Sequence, residues 1–347
     1  AQRRCQLLMS LKPMRSKLIF AFVVCSLALS GCASDEELTP AQDDITYNSI
    51  SGRIGTDGPI LAVKLDDTSL ARPQIGIEDA DVVYIEQVEG GLTRLAAIFS
   101  SVIPQNIGPV RSARISDIDI LAQYGKVIFA YSGAQRAMLT VVSNSNLWDY
   151  GAQRQSPTIY TRDANRSAPY DMVLRGDLLL EKVKADGRDV AISKSVGWSF
   201  GDAPVGGAAI DSVSLRWPAS KYEATWSKTE KRWLLSNGGI ANFAASGKQL
   251  GPTTFVIQTI EMSDSIYRGS DGSYTPLSET VGTGTGYILR DGQSFKANWS
   301  RPAPESGTTW TLADGSEIKF AAGSVWVALT DRNPDFTLTA PTSPVSK

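Results

Sequence analysis

Histidine is absent from all 347 residues, and there are only three cysteines, Cys5, Cys25 and Cys32. Without histidine there is no Ser-His-Asp triad, no Cys-His pair and no imidazole-ligated zinc or iron. Catalysis, if any, falls to carboxylates, Lys, Tyr or Ser with Lys, and any metal would be a hard cation held by oxygen. The residues call for no cofactor and single out no metal site. Long apolar runs are also scarce. The one near the start, KLIFAFVVCSLALSG at 17–31, is too short for a spanning helix.

That run follows Arg15 and Lys17 and has the charged and apolar regions of a secretory signal. It ends in Leu29-Ser30-Gly31-Cys32, which resembles the lipobox of bacterial lipoproteins, with small residues before a cysteine whose sulfur takes a diacylglyceryl group. The reading is a signal peptide over 1–31, lipidation at Cys32 and export to the extracytoplasmic side of a membrane. The polar segment before Met14 suggests a true start at Met14 or Met9.

Processing would remove Arg3, Arg4, Lys12, Arg15 and Lys17, leaving 29 basic residues against 36 acidic ones, a formal net charge of −7. Nucleic-acid binders show a basic excess or stripe, so nucleic acid is excluded as a general partner. The mature chain would keep no free thiol, which excludes a cysteine nucleophile and a disulfide.

Residues 32–57 are polar and acidic and read as a flexible tether. From 58 to 204, strand-like runs such as Pro59–Leu65, Val82–Val88 and Leu92–Val102 alternate with helical patterns at 111–123, 135–142 and 174–185. This is the pattern of an α/β (α+β) domain. From 205 to 336 strands dominate, with hairpin turns at Arg290-Asp291-Gly292 and Ala313-Asp314-Gly315, giving a mainly antiparallel β domain. Residues 337–347 read as a disordered tail.

The richest stretch is 81–119, where Glu86, Glu89, Arg94, Arg111, Arg114, Asp117 and Asp119 sit between apolar runs. Glu86 and Glu89 straddle a strand end. A bulge at Gly90 could bring both to one rim as a catalytic acid/base pair or a cation site. The blander reading, which we favour, pairs each with an arginine such as Arg94 across the hairpin. With Ser112 as N-cap, Arg111 and Arg114 would lie on one face at a helix start, able to hold phosphate or carboxylate. Alternatively they neutralise Asp117 or Glu86. Asp66-Asp67 at a strand end suits a turn better than a divalent cation. Gly282, Gly284 and Gly286 lack a following Walker lysine and read as close backbone approach in a strand. The tryptophans from Trp217 to Trp326 are expected mostly in the core.

Ala71-Arg72-Pro73-Gln74, the VEGGLTR run at 88–94 and the GPVRSAR run at 108–114 are similar to the signature of YerB-like bacterial lipoproteins. Later segments, GTGTG at 282–286, Arg290-Asp291-Gly292 and Trp299-Ser300-Arg301, resemble that family's C-terminal domain. The resemblance covers roughly 58–335 and implies an exported, lipid-anchored, two-domain protein without an assigned function. Where the family pattern has Pro-His-Asn, this chain has Pro169-Tyr170-Asp171, so any role of that histidine is lost or replaced. Two functional expectations follow. One is a binding or assembly module of the cell envelope, with Arg94, Arg111, Ser112, Arg114 and Asp117 gripping an anionic ligand or a protein partner. The other is a carboxylate-dependent hydrolase of an envelope polymer, with Glu86 or Glu89 as acid or base.

Overall fold

The computed structural model describes residues 45–269 and 272–342; Cys32 and the signal segment lie outside them. Part of the segment read as a tether is packed into the fold. Ile50 is fully buried, and the Ser51 hydroxyl donates to Asp81 Oδ1 at 2.7 Å. Asn48 Nδ2 donates to the Ser193 hydroxyl at 3.2 Å. These polar residues hold the segment because their partners are buried and need them.

The first strands are β1 (Leu61–Asp66), β2 (Val82–Gln87) and β3 (Thr93–Phe99). Every residue of β1 and β3 is buried, so their apolar residues do not alternate with exposed polar ones, and the charges they carry, Lys64, Asp66 and Arg94, are buried with them. Gly90 and Gly91 at φ +66° and +71° make the β2–β3 turn, which suits residues without a Cβ. Helix α1 (Ser116–Ala122) leads to β4 (Ile128–Ala130), then α2 (Arg136–Asn144), β5 (Trp148–Asp149) and α3 (Gly176–Ala185).

The remainder is mostly strand: β6 (Ser212–Trp217), β7 (Ser220–Ser227), β8 (Arg232–Asn237) and β9 (Ile240–Ala241). Then come β10 (Thr254–Thr259), β11 (Glu261–Arg268), β12 (Tyr274–Glu279), β13 (Gly282–Arg290) and β14 (Gln293–Arg301). The last are β15 (Thr309–Thr311), β16 (Val325–Thr330) and β17 (Asp335–Thr339). β17 corrects the expected tail. Its alternating residues pair antiparallel with β6 from Ser212↔Thr339 to Arg216↔Asp335.

One mixed sheet runs β15-β14-β13-β10-β16-β2-β3-β1-β4-β5, so strands from both halves of the chain share it. β16 is the joint, parallel to β10 on one side and to β2 on the other. Its sequence VWVALT is buried throughout, as a strand with neighbours on both edges and cover on both faces must be. A second sheet, β9-β8-β7-β6-β17, packs Val213, Leu215, Tyr222 and Trp233 against one face of the first. The other face carries α1 and α2 through Ile120, Leu121, Met138 and Val142. Few helices and many strands, mixed in the N-terminal part and mainly antiparallel in the C-terminal part, match the expected fold class.

The glycines of GTGTG lie within β13. A Cβ on Gly284 would sit 2.6 Å from Trp299 Nε1, and one on Gly286 2.2 Å from the Ile257 carbonyl. They are spacers for two indole rings and a neighbouring strand. Trp233, Trp299, Trp310 and Trp326 are buried, and Trp226 is half-buried against Trp233.

Candidate functional site: an arginine-lined cavity over a buried charge cluster

On the face that carries α1, strand alternation aligns Lys64 and Asp66 of β1 with Arg94 of β3 and Glu86 of β2. Asp66 and Glu86 both stand opposite Arg94 in register, and Lys64 and Tyr84 both stand opposite Ala96. The small Ala96 leaves room for the Lys64 side chain to cross β3.

Lys64 Nζ ends in an ion pair with Glu86 and another, at 2.7 Å, with Asp117 Oδ1; all three side chains are fully buried. Asp117 Oδ2 accepts the Arg114 amide at 2.6 Å. Among the described residues Glu86 Oε2 has no hydrogen-bond partner. One ammonium thus serves two carboxylates in a dry setting, where a lone charge is costly. Burial dominates at Glu86 and, with Asp117 adding repulsion against the pull of Lys64, pushes its pKa up to about 7.

The arginines lie one layer above. The segment before α1 is extended and not helical. Arg111 N donates to the Lys64 carbonyl at 2.8 Å, and Asp66 N to the Pro109 carbonyl at 3.0 Å, so residues 109–111 continue the sheet beside β1. This corrects the expected helix at 111–123, which starts at Ser116 with Ile115 and not Ser112 at the N-cap position. The Ser112 hydroxyl donates to the Ser132 carbonyl at 3.2 Å, while the Ser112 carbonyl accepts from Arg94 at 3.2 Å. The competing principle is pairing: the backbone groups here find partners on β1 and cannot also turn into a helix.

Arg111 Nε donates to Asp66 Oδ2 at 2.7 Å, and the Tyr170 ring lies 5.7 Å from its guanidinium. Tyr170, in the Pro169-Tyr170-Asp171 run, thus supports an arginine by its π face. Arg114 clasps Glu89 Oε2 through Nε at 2.9 Å and Nη2 at 2.7 Å, and the Thr275 hydroxyl donates to the other Glu89 oxygen. Burial alone would raise the Glu89 pKa, but Arg114 and the hydrogen bonds win and hold it below the usual carboxylate range. Asp67 is taken up by Arg72, Thr93 and Tyr222.

Arg94 is different. It is 9% exposed, and among the described residues it makes one hydrogen bond and no ion pair. Burial, with Arg114 and Arg111 beside it, lowers its pKa to about 10, so it remains a cation at neutral pH.

Arg94, Arg111, Ser112, Arg114 and Glu89 line one cavity of about 440 Å³. Gly133 to Gln135, Ile115 and Met138 close one side, and Tyr267, Arg268 and Thr275 of the β11–β12 hairpin close another. Five of the seven sequence-predicted residues therefore meet. Glu86 and Asp117 do not reach the cavity: both lie beneath it, and Glu86 pairs with Lys64 instead of an arginine or a rim. Lys64 and the hairpin residues were missed. A single lysine inside the run PILAVKLDD was the available signal, because a charge within a buried strand demands an opposite charge nearby.

A model described as "Protein of unknown function (DUF3048) N-terminal domain" matches residues 47–190, and the corresponding C-terminal domain model matches 213–327. Over 54 residues the chain is 48% identical to "Putative lipoprotein YerB" of Bacillus subtilis (strain 168), a stretch that is 16% of either protein. The chain belongs to the YerB-like family. The crystal structure of YerB protein from Bacillus subtilis shares the fold, with a TM-score of 0.71 over 84% of this chain and 99% of that one, at 19% identity. The family description names no activity, so the cavity has to speak for itself.

Proposed function

We propose that this YerB-like protein is an anion-binding module of the cell envelope, held at a membrane by a lipid on Cys32. Anchoring draws support from the lipobox-like Leu29–Cys32 and from the relative's name as a lipoprotein. Among the described residues no helix is long and apolar enough to cross a membrane.

The observation that carries the binding role is Arg94. A guanidinium removed from water normally has a carboxylate beside it. This one faces a cavity beside Arg114 and Arg111, and the nearby carboxylates of Glu89 and Asp66 are already paired with those two arginines. An anion in that cavity supplies the missing charge, and guanidinium–oxyanion hydrogen bonds are among the strongest available. A hydrolase draws less support, since Glu86 has a suitably raised pKa but no access to the cavity, and Glu89 is clasped in its charged form.

The test is calorimetric titration of the protein with inorganic phosphate and sulfate at low salt, beside Arg111→Gln. Saturable binding weakened at least tenfold by the substitution supports the module. No heat with either anion removes the reading.

A further inference from the structure

The distribution of unspent donors and of apolar wall narrows the ligand, an inference that rests on the anion-binding role. Among the described residues Arg111 donates only Nε, to Asp66, and Arg94 donates only Nη1, to the Ser112 carbonyl. Each guanidinium therefore keeps two nitrogens uncommitted, on side chains that line the same cavity. Arg114 is spent on Glu89 and on the Ser112 and Ala113 carbonyls.

Two uncommitted guanidinium edges come from different anchors, one on β3 and one on the extended segment beside β1. A planar carboxylate offers two oxygens and satisfies one fork. A tetrahedral phosphate end offers three terminal oxygens and can serve both. Part of the cavity wall is apolar: Ile115, Ala134 and Met138 line it beside Gln135, Thr275 and Arg268. A free inorganic ion would leave that wall facing water.

We infer that the cavity takes a phosphate monoester whose terminal oxygens sit between Arg94 and Arg111 and whose apolar substituent lies on Ile115 and Met138. The same chemistry is offered by a soluble alkyl phosphate and by a lipid with a phosphomonoester headgroup.

The experiment titrates the full chain, purified in a neutral detergent, with inorganic phosphate, hexyl phosphate and hexanoate. Hexyl phosphate is expected to bind at least about tenfold tighter than inorganic phosphate, the gain from burying roughly two methylenes. It should also exceed hexanoate by a similar factor. Ile115→Ser, at a half-buried position, should erase the advantage of hexyl phosphate and leave inorganic phosphate unchanged, with melting temperature recorded as a control for folding. Equal binding of hexyl and inorganic phosphate overturns the apolar substituent while the anion module stands. Hexanoate matching hexyl phosphate overturns the phosphate. Failure of all three probes in the wild type removes the module as well. Short-chain phosphatidic acid and phosphatidylcholine, titrated in the same way, then separate the sources: binding of the former as tight as that of hexyl phosphate, with none of the latter, assigns the lipid, and failure of the former assigns the soluble ester.

Discussion

Lys64 on β1 reaches past Ala96 of β3 to the Glu86 carboxylate on β2, although the two strands are not neighbours. The same ammonium holds Asp117 at the start of α1. Through Asp117 it fixes the Arg114 backbone, and through its own carbonyl it fixes that of Arg111. The cluster is thus the underside of the cavity, and its integrity sets where the arginines stand.

Lys64→Met should therefore be costly. It leaves two fully buried carboxylates without a cation, and breaking a buried pair from one side costs about 3–5 kcal/mol. Urea unfolding should show a large fall in midpoint. A change under about 1 kcal/mol, the range of exposed pairs, would mean that water reaches the cluster.

Stability should also depend on pH through Glu86. Its folded pKa of about 7 lies above its ordinary value of 4.5, so the folded state holds the proton more tightly than the unfolded one. The contribution is complete below that ordinary value and is lost as pH rises through about 7. Glu86→Gln should flatten the stability profile between about pH 5 and 8 in urea titrations. Profiles that stay parallel would contradict the burial argument. Glu89 carries the opposite sign: its folded pKa is depressed, so its contribution is present above the ordinary value and lost as pH falls through the lowered one.

A third expectation concerns the seam between the two halves. Tyr222 on β7 donates to Asp67 Oδ1 at 2.6 Å, and Thr93 to Oδ2 at 2.6 Å. Burial raises the Asp67 pKa despite Arg72 beside it, so each donor matters. Tyr222→Phe should cost about 1–3 kcal/mol, the range for stripping a buried acceptor of one partner. Thermal unfolding reads it directly, and an unchanged midpoint would show that the bond is replaceable.

Much of this fold can be read along the chain, because local pattern determines local structure. The runs at β1, β2 and β3, the glycine turn between the last two, and the Asp291-Gly292 hairpin all carry their own signals. What escapes is non-local. Nothing near Val325–Thr330 says that it lies parallel between β2 and β10, although its lack of alternation marks a strand covered on both faces. Arg111 and Arg114 look like a helix start because Ile115, Ile118 and Leu121 follow at helical spacing, yet pairing with β1 delays the helix to Ser116. Glu86 looks like a partner for Arg94 directly opposite, yet the more compact Lys64 ammonium takes it. Among the described residues that leaves Arg94 without an ion pair, a feature the sequence hides.

The most direct measurement is the affinity of the protein for inorganic phosphate at low ionic strength, for the wild type and for Arg94→Gln, with melting temperatures taken alongside. The account predicts saturable one-to-one binding in the wild type and at least a tenfold loss in a variant that is still folded. Equal affinity in the two proteins, or no binding by the folded wild type, would contradict it and leave the arginines as scaffolding of the turn.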